Sequence, residues 1–317
     1  MSPPALLCIG EPMLEFSELP PDGTGRKLYL QGFGGDTSNA AIAAARQGAK
    51  VGIITALGCD APGDALLALW QREGVDSSAV RRDPDHPTAI YFIHHGPDGH
   101  RFSYLRKDSA AAHLGPADLP EALIGQAKFL FASGISLAIS PLAADAVFAA
   151  IALARNAGAK VAIDTNYRPA LWPPARAAAL THAAIARADI ALPSLDDATQ
   201  LTGLTDPDAI LDFYLGLGPP LVVLKRGAAG AILASRDRRL VLPGLAVSAV
   251  DPTGAGDVFC GCFLAHLLAG DAPETAARYA VAAAALSTTG YGAVAPIPRP
   301  ADIARAGCVR LRSCIPI

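Results

Sequence analysis

Charge of one sign is what this sequence most plainly lacks. Its 26 Lys and Arg stand against 29 Asp and Glu, a net charge of −3 over 317 residues, without the basic stripe that phosphate-backbone binding requires. Nucleic acid is therefore not an expected partner. Nor is a membrane, because no stretch reaches the roughly 18 apolar residues of a span. The opening MSPPALLCIGEPMLEF has no charged leader with an apolar run and cleavage site behind it, so the cytoplasm is the expected location. The six cysteines, at 8, 59, 260, 262, 308 and 314, form no CxxC pair, and none of the seven histidines stands at metal-ligand spacing. The cysteines are expected as small buried residues of a reducing compartment. His94 and His95 should lie side by side on a strand, facing opposite ways. Two nucleotide-binding signatures are missing as well: there is no GxxxxGK[ST], and CIGEPMLEF stands where a dinucleotide fold carries GxGxxG.

What is present is apolar and periodic. A hydrophobic share of 51% suffices for a sizeable core. Short apolar runs recur at 5–10, 51–58, 129–135, 160–166, 188–194 and 220–227, and between most of them lie Ala-rich stretches of helical period such as 38–48 and 140–158. Strand–helix alternation with continuous apolar strands predicts an α/β fold: a doubly wound, mostly parallel sheet with helices on both faces. Residues 13–34 and 88–106 break the rhythm, and the second segment reads as a β-hairpin turning at GPDG. Together they predict a small sheet beside the main one. Set over the strand ends, it would exclude water from a closed site.

The strongest chemical signal is VDPTGAGDVFCGCFLAHLLAG, 250–270. Gly254, Ala255 and Gly256 permit a turn whose amides point at an anion, and the apolar helix behind adds its N-terminal partial charge. Asp257, one residue on, is placed to take a proton from a hydroxyl attacking a phosphoryl group. By itself it could equally be an ordinary first-turn acid. Near the N-terminus, Gly34 and Gly35 precede a helix whose start is marked by Asp36, Thr37 and Ser38, which predicts side-chain capping.

The full string DPTGAGD resembles the signature of PfkB-type, ribokinase-like carbohydrate kinases, in which the final Asp is the catalytic base. That resemblance implies a single kinase domain over 1–317, with a small β lid from about 13–34 and 88–106. It also implies ATP as phosphoryl donor, Mg2+, and in several relatives a monovalent cation near Asp251 and Thr253. The family's GG-x-x-x-N element, which holds sugar hydroxyls, falls on Gly34, Gly35 and Asn39. Further strings are similar to those of 2-keto-3-deoxygluconate kinases: GEPMLEFS (10–17), FSYLRKDSAA (102–111), SGISLAIS (133–140), DTNYRPALW (164–172) and VVLKRGAAG (222–230). They imply substrate roles for Tyr91, Tyr104, Arg106 and Arg168. Nucleotide roles are implied for Asn166, Arg168, Lys225, Arg226, Gly227, Gly230, Thr253, Gly254 and Gly256.

The residue chemistry supports part of this transfer, because a sugar acid carries a carboxylate that an Arg fork can grip and a neutral hexose does not. Arg168 has a second role open to it, at the ATP phosphates. Two positions depart from the family pattern. Where many relatives have N-x-x-E, this chain has Ser194-Leu195-Asp196-Asp197, so Asp197 alone remains to meet magnesium, through water. Glu15 stands where many sugar kinases carry Asp. The expected reaction is ATP-dependent phosphorylation of 2-keto-3-deoxygluconate on its terminal hydroxyl. The rivals are a fructokinase-like enzyme for a neutral sugar and a non-catalytic sugar- or nucleotide-binding relative. Exposed edges on the small sheet predict a homodimer or higher assembly through it.

Overall fold

The computed structural model describes residues 3–96 and 99–306. In chain order the strands are β1 Leu6–Ile9, β2 Met13–Leu19, β3 Leu28–Gly34, β4 Val51–Gly58, β5 Val80–Asp83, β6 Ile90–Gly96 and β7 Gly99–Leu105. After these come β8 Phe129–Ser133, β9 Lys160–Asp164, β10 Ile190–Ala191, β11 Leu221–Lys225, β12 Ala231–Ala234 and β13 Arg239–Leu242. Nine of them form one sheet in the order β13-β12-β11-β10-β9-β8-β1-β4-β5. Its strands are parallel from β11 through to β5, while β12 and β13 close one edge as an antiparallel meander. Every residue of β1, β4 and β8 is buried, the pattern of strands covered on both faces. Helices Asp36–Arg46, Ala255–Leu268 and Pro273–Ser287 build the core on one face. Helices Pro141–Asn156, Pro174–Ile185 and Pro207–Leu217 build it on the other.

The remaining four strands form a separate sheet, β3-β2-β6-β7. Its register aligns Gly32, Glu15, Tyr91 and Tyr104 across the four strands. Residues paired in this way project from one face. The β6–β7 pairing reaches Gly96 opposite Gly99; Pro97 and Asp98 of the predicted turn lie outside the described residues. No helix among the described residues is long and apolar enough to cross a membrane.

Candidate active site

The site is organised by a close crossing of two helices. Helix Ala255–Leu268 is buried from Asp257 through Ala265, and it meets helix Asp36–Arg46 at Gly261. A Cβ at Gly261 would stand 2.2 Å from the Ala40 carbonyl oxygen and 2.8 Å from the Ala43 Cβ. Only this approach lets Asn39 Nδ2 donate to Asp257 Oδ2 at 2.9 Å. From the sheet side, Asn166 Nδ2 donates to Asp257 Oδ1 at 3.2 Å. Asn166 follows β9 with φ 31°, a backbone region that Asn tolerates better than other non-Gly residues. Burial, then the neighbouring Asp36 charge, push the Asp257 carboxyl up to about 7, with the Asn39 amide opposing them. A carboxylate so poised can exchange a proton near neutral pH.

The helix start at residue 36 corrects the expected capping. Its N-cap is Gly35 at φ 102°, with no side-chain cap. A Cβ at Gly35 would also strike the Glu11 carbonyl oxygen at 2.5 Å. Asp36, Thr37 and Ser38 are buried instead: Ser38 Oγ accepts from Trp70 Nε1 at 2.9 Å, and Asp36 accepts from the Ser133 hydroxyl. Asp36 Oδ1 is buried without a hydrogen-bond partner. Burial raises the Asp36 carboxyl, against the Ser133 hydrogen bond and the charges of Arg106 and Arg168.

Arg106, directly after β7, is ion-paired with Glu11, a fully buried carboxylate that also accepts from the Ser109 hydroxyl. Its guanidinium lies 5.8 Å from the Tyr104 ring centre. Tyr104 in turn stacks on Tyr91 at 5.8 Å. Tyr91 donates its hydroxyl to Glu15, and Gly34 leaves the room, since a Cβ there would be 2.4 Å from the Tyr91 oxygen. Arg168 is exposed and donates to its neighbour's carbonyl, Tyr167 O, at 3.0 Å. Its charge acts on Asp36, Asp257 and Asp197 alike.

Beneath the 254–256 turn, Lys225 points inward. Its Nζ pairs with buried Asp164 Oδ2 at 2.7 Å and lies 3.6 Å from Cys260 Sγ. Burial opposes its charge, yet Asp164 holds the ammonium above its ordinary range. In the turn itself, Gly254 is left-handed at φ 75°. The Ala255 N–H is taken by Pro252 O at 3.2 Å. Gly256 and Asp257 therefore supply the first-turn amides, which have no intrahelical acceptor. Arg226 donates to Ala229 O at 3.1 Å, within the turn joining β11 to β12. Gly227 has φ 54°, and Gly230 at φ 88° packs where a Cβ would be 2.1 Å from Leu242 O, so backbone geometry alone accounts for Gly230. Asp251 accepts from Thr253 N at 2.9 Å, Thr253 Oγ1 at 2.6 Å and Gly292 N at 2.8 Å.

Magnesium fits the corner between β9 and Ser194. Asp164 Oδ1 is buried without a hydrogen-bond partner, and Asp197 Oδ2 accepts from Thr165 Oγ1 at 3.0 Å. Burial, then the Asp164 charge, raise the Asp197 carboxyl. Two carboxylates against one ammonium suit a hydrated divalent cation shared with phosphates.

Several of these residues were missed from sequence. Glu11, Ser109, Asp164 and Gly261 lie within strings that drew notice but took no role there; Asp36 was visible within GGDTSN but read as a cap. Cys8, Cys260 and Cys262 are buried as expected, whereas Cys59 is exposed; Cys308 and Cys314 lie outside the described residues. His94 bonds Glu18 at 3.0 Å.

A family profile described as pfkB family carbohydrate kinase matches residues 5–300. The chain is 35% identical to the 2-dehydro-3-deoxygluconokinase (2-keto-3-deoxygluconate kinase) of Thermoproteus tenax over 306 residues, covering 94% of this chain and 93% of that one. It is 32% identical to a fructokinase of Salmonella typhimurium over 297 residues, covering 91% and 95%. Among solved structures, a PfkB protein from Polaromonas sp. JS666 superposes with a TM-score of 0.86 at 32% identity, over 95% of this chain and 99% of that one. Profile, relatives and fold converge: the chain belongs to the pfkB family and is an ATP-dependent carbohydrate kinase.

Proposed function

We propose that the acceptor is 2-keto-3-deoxygluconate, phosphorylated on its terminal C6 hydroxyl to give 2-keto-3-deoxy-6-phosphogluconate. The observation that carries phosphoryl transfer to an alcohol is the clamp on Asp257. Two side-chain amides, from Asn39 and Asn166, each hold one of its oxygens at the N-terminus of a buried helix. The amides fix its lone pairs in direction, while burial and the Asp36 charge raise its affinity for a proton against them, as a base for an alcohol requires. As the hydroxyl oxygen bonds to the γ-phosphorus of ATP and the bond to ADP breaks, the hydroxyl proton passes to Asp257. The Gly256 and Asp257 amides and the helix N-terminus hold the phosphoryl oxygens. Magnesium, when bound, would neutralise phosphate charge, with Asp164 and Asp197 holding it through water. Arg168, exposed between the sugar and phosphate corners, serves either the acid or the nucleotide. Asp251 with Thr253 is the place for a monovalent cation, which kcat in potassium against tetramethylammonium salts would reveal.

The sugar-acid assignment rests on Arg106. Glu11 occupies part of its fork and fixes its direction, and five N–H donors leave others for a substrate carboxylate. Tyr91, Tyr104 and the Gly34–Gly35 backbone would line the sugar, with the small sheet as lid over it. The test is product identification: with ATP, Mg2+ and 2-keto-3-deoxygluconate, phosphorus–proton correlation should place one phosphate on C6 for each ADP released. A phosphate elsewhere, or none, overturns the reading. A second reading, a neutral-sugar kinase, is favoured by one observation: Arg106 already has a carboxylate partner in Glu11. We further assign the sheet face bearing Leu28, Leu30 and Phe102, each exposed, to pairing with a second copy.

A further inference from the structure

No two histidines stand at metal-ligand spacing in the sequence, yet the fold stacks His86 on His113 with ring centres 3.6 Å apart. One donor atom each from His86, His113 and Asp108 lie within 4.8 Å of one another, the one such group of three among the described residues. We propose that these three residues bind a divalent transition-metal ion of the Zn2+ class, at a site distinct from the magnesium that accompanies ATP.

The donor set is the first argument. Two imidazoles and one carboxylate suit zinc and its neighbours, whereas magnesium prefers oxygen ligands and water. The second is the support behind His86. Its Nδ1 lies 3.2 Å from both oxygens of Asp83, a buried carboxylate pinned by the N–H groups of Asp85 at 2.9 Å and His86 at 3.1 Å. Arg81 adds an ion pair to Asp83 at 3.1 Å. A carboxylate at Nδ1 draws the proton there and leaves the Nε2 lone pair for a metal, as in carboxylate–histidine–zinc arrangements. An exposed ion pair between His113 and Asp108, 2.6 Å apart, accounts for those two residues but not for an oriented imidazole stacked beside them.

Ligation requires movement, because an ion lies in the plane of each ring that binds it and the two rings are stacked 20° from parallel. At least one ring must turn about χ2. Side-chain exposures of 27% for His86 and 36% for His113 leave space for that turn and for water to complete the coordination. Metal binding also displaces the proton shared by His113 and Asp108. The placement gives the site a structural meaning. His86 lies ahead of β6 and Asp108 with His113 follow β7, so one ion would span both legs of the hairpin, two residues from Arg106.

Calorimetric titration of the full chain with Zn2+, without nucleotide, should show one ion bound per chain, undisplaced by millimolar Mg2+. His86→Gln with His113→Gln should abolish that binding. Asp108→Asn alone, at an exposed position, should weaken it roughly tenfold while the circular dichroism spectrum and the kinase rate without zinc stay unchanged. Cobalt substitution should give d–d bands without a thiolate charge-transfer band. Absent one-to-one binding, binding indifferent to the histidine changes, or a thiolate band placing the ion on cysteine would each overturn the proposal.

Discussion

The helix crossing at Gly261 and the four-stranded sheet are built by opposite means. At the crossing, backbones touch, side chains are small, and Asp257 is buried between two amides. On the sheet the contacts are side chain to side chain, and Tyr104, Phe102 and Leu30 remain substantially exposed. The first region has little freedom to vary its geometry. The second can change its side chains without disturbing the core. This division suits a family whose members include kinases named for different acceptors.

The comparison breaks most sharply at Asp257. Asp257→Asn keeps the shape and removes the proposed base, so kcat should fall at least about 100-fold with sugar and ATP affinities little changed; steady-state kinetics checks this, and a loss under threefold would refute the role. Next is Arg106. Arg106→Met should lower kcat/KM for the ketodeoxy acid by well over about tenfold, the scale of a stranded charged hydrogen bond, and Arg106→Lys should lie between. Fructose should suffer much less; equal losses on both would place Arg106 in the scaffold of the sheet through Glu11.

Lowering the pH probes the crossing in a graded way. The proposed base, Asp257, must be ionised to act, and burial pushes its carboxyl up to about 7. Below that point kcat/KM should therefore fall towards about tenfold per pH unit, measured with magnesium in excess. Above it the rate should level off. The stability effects are smaller in activity but separate the two regions cleanly. Gly261→Ala should destabilise by about 1–3 kcal/mol through overpacking and slow kcat by moving Asn39. Leu30→Lys, on the exposed sheet face, should shift the sedimentation mass towards the monomer and lower the melting temperature only by what the lost pairing contributes at the protein concentration used.

The fold was largely legible because buried parallel strands announce themselves as continuous apolar runs, and 5–10, 51–58 and 129–135 all became strands of the main sheet. The β12–β13 edge was not, since AILA and RLVL are too short and mixed to show a period. In the site, Asp257 and Asn39 were legible as motif residues, but their contact was not, because it depends on Gly261 approaching Ala40 from the far end of the chain. Lys225 takes a nucleotide role by resemblance; its pairing with Asp164 is visible only in the fold. Spacing rules cover ligands on one element, so the His86–His113 stack, joined by the two ends of a hairpin, escaped them.

A sugar-acid acceptor presented to a clamped carboxylate is tested most directly by one comparison. Values of kcat/KM for 2-keto-3-deoxygluconate and fructose, measured side by side by ADP release at saturating ATP, should favour the acid by well over about tenfold, as a charged contact available to only one substrate requires. An equal or greater value for fructose would contradict the account and leave a pfkB kinase of a neutral sugar.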